Sequence, residues 1–236
     1  MRINEVPEIN TQMSINSPQK TAGDDDLRLF DFPNPQQKNY FSYFSSPKYL
    51  ELKSLVEKYN QENSNNVSND TLAFANEYRK NFQKEYGIIK SSSMQDMILK
   101  QDSPLYDKDL QASINTMRKK CRTNGDYYKN LRGAVKSQKI GNCVDVAAIS
   151  AYDINHSGKD YNAQLVYASI LDKDAISNHV AVVVGKNSEK QELKPDSIIL
   201  DNWLGGVFTY KDWEKLIKKV YSTNEVNTYI SKEKIK

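Results

Sequence analysis

Three residues carry the clearest chemistry in this chain, each inside a short phrase of its own. They are Cys143 in Ile140-Gly141-Asn142-Cys143, His179 in Asn178-His179-Val180-Ala181-Val182-Val183-Val184-Gly185, and Asp201 in Ile198-Ile199-Leu200-Asp201-Asn202-Trp203. A thiol, an imidazole and a carboxylate are the groups that thiol-based acyl transfer needs: a nucleophile, a general base and a residue that orients the base. Gly141-Asn142 makes a tight lead-in with Asn142 as N-cap, which puts the sulfur in the first turn of a helix. There the helix dipole and unbonded backbone N–H groups favour a thiolate, and the same N–H groups can hold the oxyanion of a tetrahedral intermediate. His179 enters a strand of valine and alanine, and Asp201 closes the next apolar strand. A strand-end carboxylate can fix the tautomer of an imidazole on the neighbouring strand. Singly, each has a plainer role: a small buried hydrophobe, a satisfied core histidine, an aspartate bonding its own turn. Their conjunction is what points to catalysis. His156 lies instead in the polar turn Asn155-His156-Ser157-Gly158. Cys121, between Lys120 and Arg122, has no base near it in sequence and reads as structural.

The elements that must position these residues follow from periodicity. Residues 1–38 are rich in Asn, Gln, Ser, Pro and Asp and are expected to be a disordered tail, interrupted by the apolar island Leu27–Phe32, which can add a strand to another surface. A catalytic domain is expected over 39–236, helical in its front part. Helical spacing covers Tyr40 to Tyr59, followed by an Asn-rich linker to Asn69; a second helix runs from Asp70 or Thr71 to about Tyr86. Ser91-Ser92-Ser93 caps a short third helix, and two more span Leu110–Lys120 and Asp126–Lys136. The back half changes character. Asn142–Tyr152 is a small-residue helix, while Asn162–Ile170, His179–Val184 and Ile198–Leu200 read as strands. Thr209 with Asp212 opens a last helix whose inward face is Trp213, Leu216, Ile217 and Val220, and Asn227–Ile230 returns as an edge strand. The expected class is α+β, an antiparallel sheet packed on the nucleophile helix.

Composition narrows the function classes. The 236 residues hold 33 basic and 30 acidic side chains, a net charge of +3. No long basic block marks a nucleic-acid partner; Arg118-Lys119-Lys120 with Arg122 reads as a solvated helix face. Mean hydropathy is −0.74, and no run approaches the length of a membrane span. The N-terminus lacks the apolar stretch of a secretory signal peptide. With two cysteines and no His-Cys clustering, neither a disulfide scaffold nor a metal site is expected, and no cofactor is called for.

The two strand phrases resemble the His and Asn/Asp regions of the papain-like cysteine peptidase superfamily, where His begins a strand and the third member heads an Asn-Ser-Trp-like phrase. Asp201-Asn202-Trp203 stands in that place, continued by Gly205-Gly206. The resemblance implies that Cys143 is the nucleophile, His179 the base and Asp201 the orienting acid, with Trp203 shielding the His–Asp hydrogen bond from water. It also makes Gln138 the oxyanion-hole side chain, one position closer to the nucleophile than is usual, with Asn142 as the rival. There are departures. Val144 follows the Cys where papain-type enzymes have Trp, and His179 follows within a short span. That compact order is more similar to the transglutaminase-like branch, in particular to bacterial effector and toxin domains that deamidate glutamine in host proteins or cleave them. The similarity covers about residues 138–215. It implies a thiol-dependent amidohydrolase acting on a host protein, glutamine deamidation first. Cysteine proteolysis or transglutamination by the same triad are the alternatives, and a non-catalytic protein-binding domain on a papain-like scaffold is the alternative of another class. The tail resembles substrates of bacterial specialised secretion. It implies export without a classical signal peptide, a host-cytoplasmic virulence role and a secretion chaperone on the N-terminal segment; otherwise the protein is expected in the cytoplasm.

Overall fold

Alternation along the strands decides the layering. The computed structural model describes residues 43–64, 69–99, 103, 106–123, 125–171, 176–188, 191–232 and 235; the expectations for residues 1–38, the Leu27–Phe32 island included, lie outside these. Five strands form one antiparallel sheet: β1 (Tyr161–Leu171), β2 (Ile176–Lys186), β3 (Ile198–Asp201), β4 (Gly206–Thr209) and β5 (Val226–Ile230), in the order β4-β3-β2-β1-β5. Val180, Val182, Val184, Ile198 and Leu200 point to one face, and Ala181, Val183 and Ile199 to the other. A sheet apolar on both faces must be covered on both. The first face packs on α2 (Asp70–Tyr86) and α6 (Cys143–Asn155), and α5 (Tyr127–Gln138) and α4 (Leu110–Thr123) extend that core outward, α5 against α2 and α6 and α4 against α5. The second packs on a short 3-10 turn (Tyr43–Ser45), α1 (Pro47–Ser64), α3 (Ser92–Ile98) and α7 (Tyr210–Val220). The mixed α+β class expected from the sequence is what the structure shows, arranged as three layers. No helix among the described residues is long and apolar enough to cross a membrane.

Two local devices bring the chain to the start of α6. α5 stops at Gln138 because Lys139 turns left-handed, with φ 57°. Its Nζ then donates to the Tyr86 carbonyl at 2.6 Å. The next residues pair with the segment before α3: Lys90 N–H donates to the Lys139 carbonyl at 2.7 Å, and Gly141 N–H to the Lys90 carbonyl at 2.9 Å. At the other end of the site, α7 starts on Thr209, whose Oγ1 accepts from Asp212 N–H at 3.2 Å and donates to the Asp212 carboxylate at 2.8 Å.

The first helix starts at Pro47, after the 3-10 turn, and not at Tyr40, and two further boundaries differ from expectation. The Asn-rich stretch after Tyr59 begins inside α1, because Asn60 and Asn63 bond to the sheet. The Asn60 amide donates to the Gly205 carbonyl at 3.1 Å and accepts from Val207 N–H at 3.1 Å, while Asn63 donates to the Val207 carbonyl at 2.8 Å. These bonds satisfy backbone groups of β4 and of Gly205 just before it; β4 is an edge strand of four residues that the glycines Gly205-Gly206 disguise in the sequence. β2 also begins at Ile176, so His179 lies within the strand and opposite Ala168 of β1.

Candidate active site

Strand parity sends His179 and Asp201 to the α7 face of the sheet, together with Ala181, Val183 and Ile199. α6 packs on the opposite face. The two meet at the end of β3. That strand pairs with β2 only over Val182–Val184, which leaves the His179 end of β2 without a β3 neighbour. Cys143, the first residue of α6, lies at this gap, with its Sγ 4.0 Å from the carbonyl oxygen of Asn178.

His179 and Asp201 are both fully buried, and the imidazole Nε2 lies 2.6 Å from Asp201 Oδ2. The carboxylate is held from further directions: Trp213 Nε1 donates to Oδ2 at 2.9 Å and Leu204 N–H to Oδ1 at 3.0 Å. An ionised carboxylate is tolerable at such depth only when its oxygens are bonded in this way. Burial pushes the imidazole pKa down, but the Asp201 charge and hydrogen bond, and then Cys143, outweigh it and raise it to about 10. Nδ1 has no hydrogen-bond partner, although Cys143 contributes to that upward shift. The thiol is therefore a close neighbour whose contact is longer or less aligned than a formed hydrogen bond, as resting sites often are. The nitrogen usage is the reverse of the chymotrypsin-type serine triad, where Nδ1 meets the carboxylate.

Aromatic rings enclose the imidazole. Trp203 lies 4.9 Å from it between centroids, Trp213 5.9 Å and Tyr221 6.3 Å. Burial, and then the charges of Cys143 and Asp201, push the Tyr221 phenol well up, so it stays protonated. Trp213 and Tyr221 carry more of the site than the sequence suggested. Trp213 reads there as one member of an amphipathic face, and nothing in the helical period shows that its indole N–H finds Asp201. Eight residues further on, Tyr221 continues the same face, which was the available signal.

The start of α6 is fixed by charge. Asp145 accepts from Asn142 N–H at 2.8 Å and receives Arg118 of α4 in a bidentate pair, both N···O distances 2.7 Å. The Asn142 side chain is engaged chiefly with the Ser91–Ser93 segment and with α4. Its Oδ1 accepts from Ser91 Oγ (2.9 Å), Ser92 Oγ (3.0 Å) and Ser93 N–H (3.3 Å), and its Nδ2 donates to Gln111 at 3.2 Å. Gln138 is different: at the end of α5, its Nε2 is buried without a partner. Cys121 is also buried, and its pKa is raised to about 11 by that burial and by Asp145.

A cavity of about 250 Å³ adjoins the site, bounded by Val146 of α6, Ser91, Trp203, Asn202 and the aromatic rings of Tyr43 and Phe82. A larger one, about 830 Å³, lies where Val183–Lys186 meet Ser197 and Ile198; neither cavity is lined by Cys143, His179 or Asp201, and it is the smaller that lies against Trp203, the ring nearest His179. Comparison with protein-family models, with curated proteins and with solved structures finds no match to this chain.

Proposed function

We propose that this chain is a thiol-dependent amidohydrolase with a papain-like/transglutaminase-like core, in which Cys143 is the nucleophile, His179 the base and Asp201 the residue that orients it. One observation carries this most: the sealed His179–Asp201 hydrogen bond commits Nε2 and leaves the unpartnered Nδ1 beside Cys143. A raised imidazole pKa lets His179 hold, as an imidazolium against Asp201, the proton that Cys143 gives up. The thiolate then adds to an amide carbonyl carbon, with the oxyanion held by N–H groups at the start of α6 and by Gln138, which has a donor to spare. Asn142 is the rival donor for that role; one of its Nδ2 protons goes to Gln111, which makes Gln138 the first choice. As the tetrahedral intermediate collapses, the C–N bond breaks and the imidazolium gives its proton to the departing ammonia or amine. Water then attacks the thioester, His179 takes its proton, and the thiol and a free acid are regenerated.

The substrate is a protein amide, glutamine side chains first. That choice, like delivery into a host cell, is supported by the sequence resemblance alone. A binding domain on an inactive scaffold is disfavoured on energetic grounds. Holding His179 and Asp201 fully buried carries a desolvation cost that apolar residues of similar size would avoid, and a scaffold has no use for it.

The test is intact-mass analysis of candidate protein substrates, run beside Cys143→Ala. A gain of about 1 Da marks deamidation, a fragment pair proteolysis, and an added amine transglutamination, since one acyl-enzyme leads to all three. Iodoacetamide near neutral pH should label Cys143 well before Cys121, whose proton burial retains. Cys143 reacting no faster than Cys121 would count decisively against the proposal.

A further inference from the structure

Ser91 caps α3, its Oγ accepting from Met94 N–H at 3.2 Å, yet the same buried hydroxyl does more than a cap requires. It accepts from Trp203 Nε1 at 2.8 Å and donates to Asn142 Oδ1 at 2.9 Å. Trp203 is the ring nearest the His179 imidazole, and Asn142 immediately precedes Cys143. One oxygen thus touches the wall of the base and the lead-in to the nucleophile, residues that are far apart in sequence and on different elements.

The surroundings pin that oxygen in place. Ser91 N–H donates to the Tyr43 hydroxyl at 3.0 Å. The preceding Lys90 pairs through its backbone with Lys139 and Gly141, so Ser91 moves with the segment that delivers Cys143. A serine hydroxyl has one proton and two lone pairs. Here the lone pairs receive Met94 and Trp203 and the proton lies toward Asn142, with Ser93 Oγ a further neighbour at 3.0 Å. An oxygen bonded from this many sides at 1% exposure has little room to move, and a fixed position is what pre-organises a reacting pair.

We infer that Ser91 is a positioning residue of the acyl-transfer site: its hydroxyl sets Trp203 against His179 and Asn142 ahead of Cys143 at the same time, and so fixes base and nucleophile relative to each other. This inference rests on the function proposed above. Ser92 bonds Asn142 as well, at 3.0 Å, while the Trp203 indole donates to Ser91, which makes Ser92 the natural control.

The experiment compares Ser91→Gly, Ser91→Ala and Ser92→Ala for the rate and pH profile of Cys143 alkylation by iodoacetamide, with Cys121 as internal reference and the melting temperature of each variant. Glycine serves as an N-cap almost as well as serine, whereas alanine does not. Ser91→Gly therefore removes the hydroxyl and largely keeps the helix start. The expected result is a fall of about tenfold in Cys143 alkylation for both Ser91 variants, with an altered pH midpoint. Ser91→Gly should melt close to wild type, and Ser92→Ala should show the smaller loss. If Ser91→Gly alkylates like wild type while Ser91→Ala merely melts earlier, Ser91 is a cap and the inference is overturned. An equal loss in Ser92→Ala would assign the effect to Asn142 alone and overturn the link through Trp203. A wild-type Cys143 no faster than Cys121 is a separate result; it removes the acyl-transfer function itself and the positioning role with it.

Discussion

At the scale of single residues, the His179–Asp201 pair ties chemistry to stability. His179 keeps its proton in the folded state up to about pH 10, against 6.5 for an unperturbed imidazole. Between those values the folded chain binds more protons than the unfolded one, so the contribution is complete below 6.5 and is lost as pH rises through about 10. Asp201→Asn removes the charge responsible for the elevation while keeping a side chain of the same size. The difference in unfolding free energy between wild type and Asp201→Asn, from urea titrations at about pH 6, 8 and 10, should therefore shrink as pH rises. A constant difference would mean that His179 is neutral throughout and that Asp201 acts only as a hydrogen-bond acceptor.

At the scale of elements, the start of α6 depends on α4. Asp145 is 2% exposed and Arg118 22%, so Arg118→Met leaves a carboxylate buried with only the Asn142 N–H for company. Denaturant unfolding should show a loss of about 3 kcal/mol, the low end for breaking a buried pair because Arg118 retains some contact with water. Adding Asp145→Asn to that variant should recover part of the loss; no recovery would show that Arg118 acts through packing of its stem. This pair also marks where the sequence stopped being informative. Cys143, His179 and Asp201 were legible because a helix cap and two short apolar strands announce themselves locally, and the end of α2 at Tyr86 and the Thr209 cap of α7 were legible for the same reason. Arg118 looked like part of a solvated basic face, since nothing in a helical period names the partner across the interface. Asn60 and Asn63 looked like linker because asparagine favours turns, and only the presence of β4 beside them makes them helix residues with backbone to bond. Asn142 was recognised as a cap position, but its amide is spent on a serine turn about fifty residues earlier, a connection that no local pattern encodes.

At the scale of the whole molecule, the helical front half is woven into the catalytic-looking back half. Ser91 bonds Trp203 and Asn142, Lys90 pairs with the lead-in to Cys143, Asn60 and Asn63 bond β4, and Arg118 neutralises Asp145. α2 also covers the sheet face that carries Val180, Val182 and Val184, and α4 belongs to the same core. Removing the front half therefore strips a sheet face of its cover and leaves buried polar groups of the site without partners, two of the costliest changes a fold can suffer. The fragment Tyr127–Lys236 holds all three residues of the proposed triad and every strand among the described residues, yet it should not fold alone. Expressed by itself it should lack a cooperative denaturant transition and the near-ultraviolet signal of packed aromatics, whereas the full chain should unfold in one step with calorimetric and van't Hoff enthalpies in agreement. If the fragment instead unfolds cooperatively and Cys143 still outpaces Cys121 in alkylation, the front half is an accessory lobe. The bonds from Ser91 and Arg118 would then refine a site that the sheet and α6 build without them.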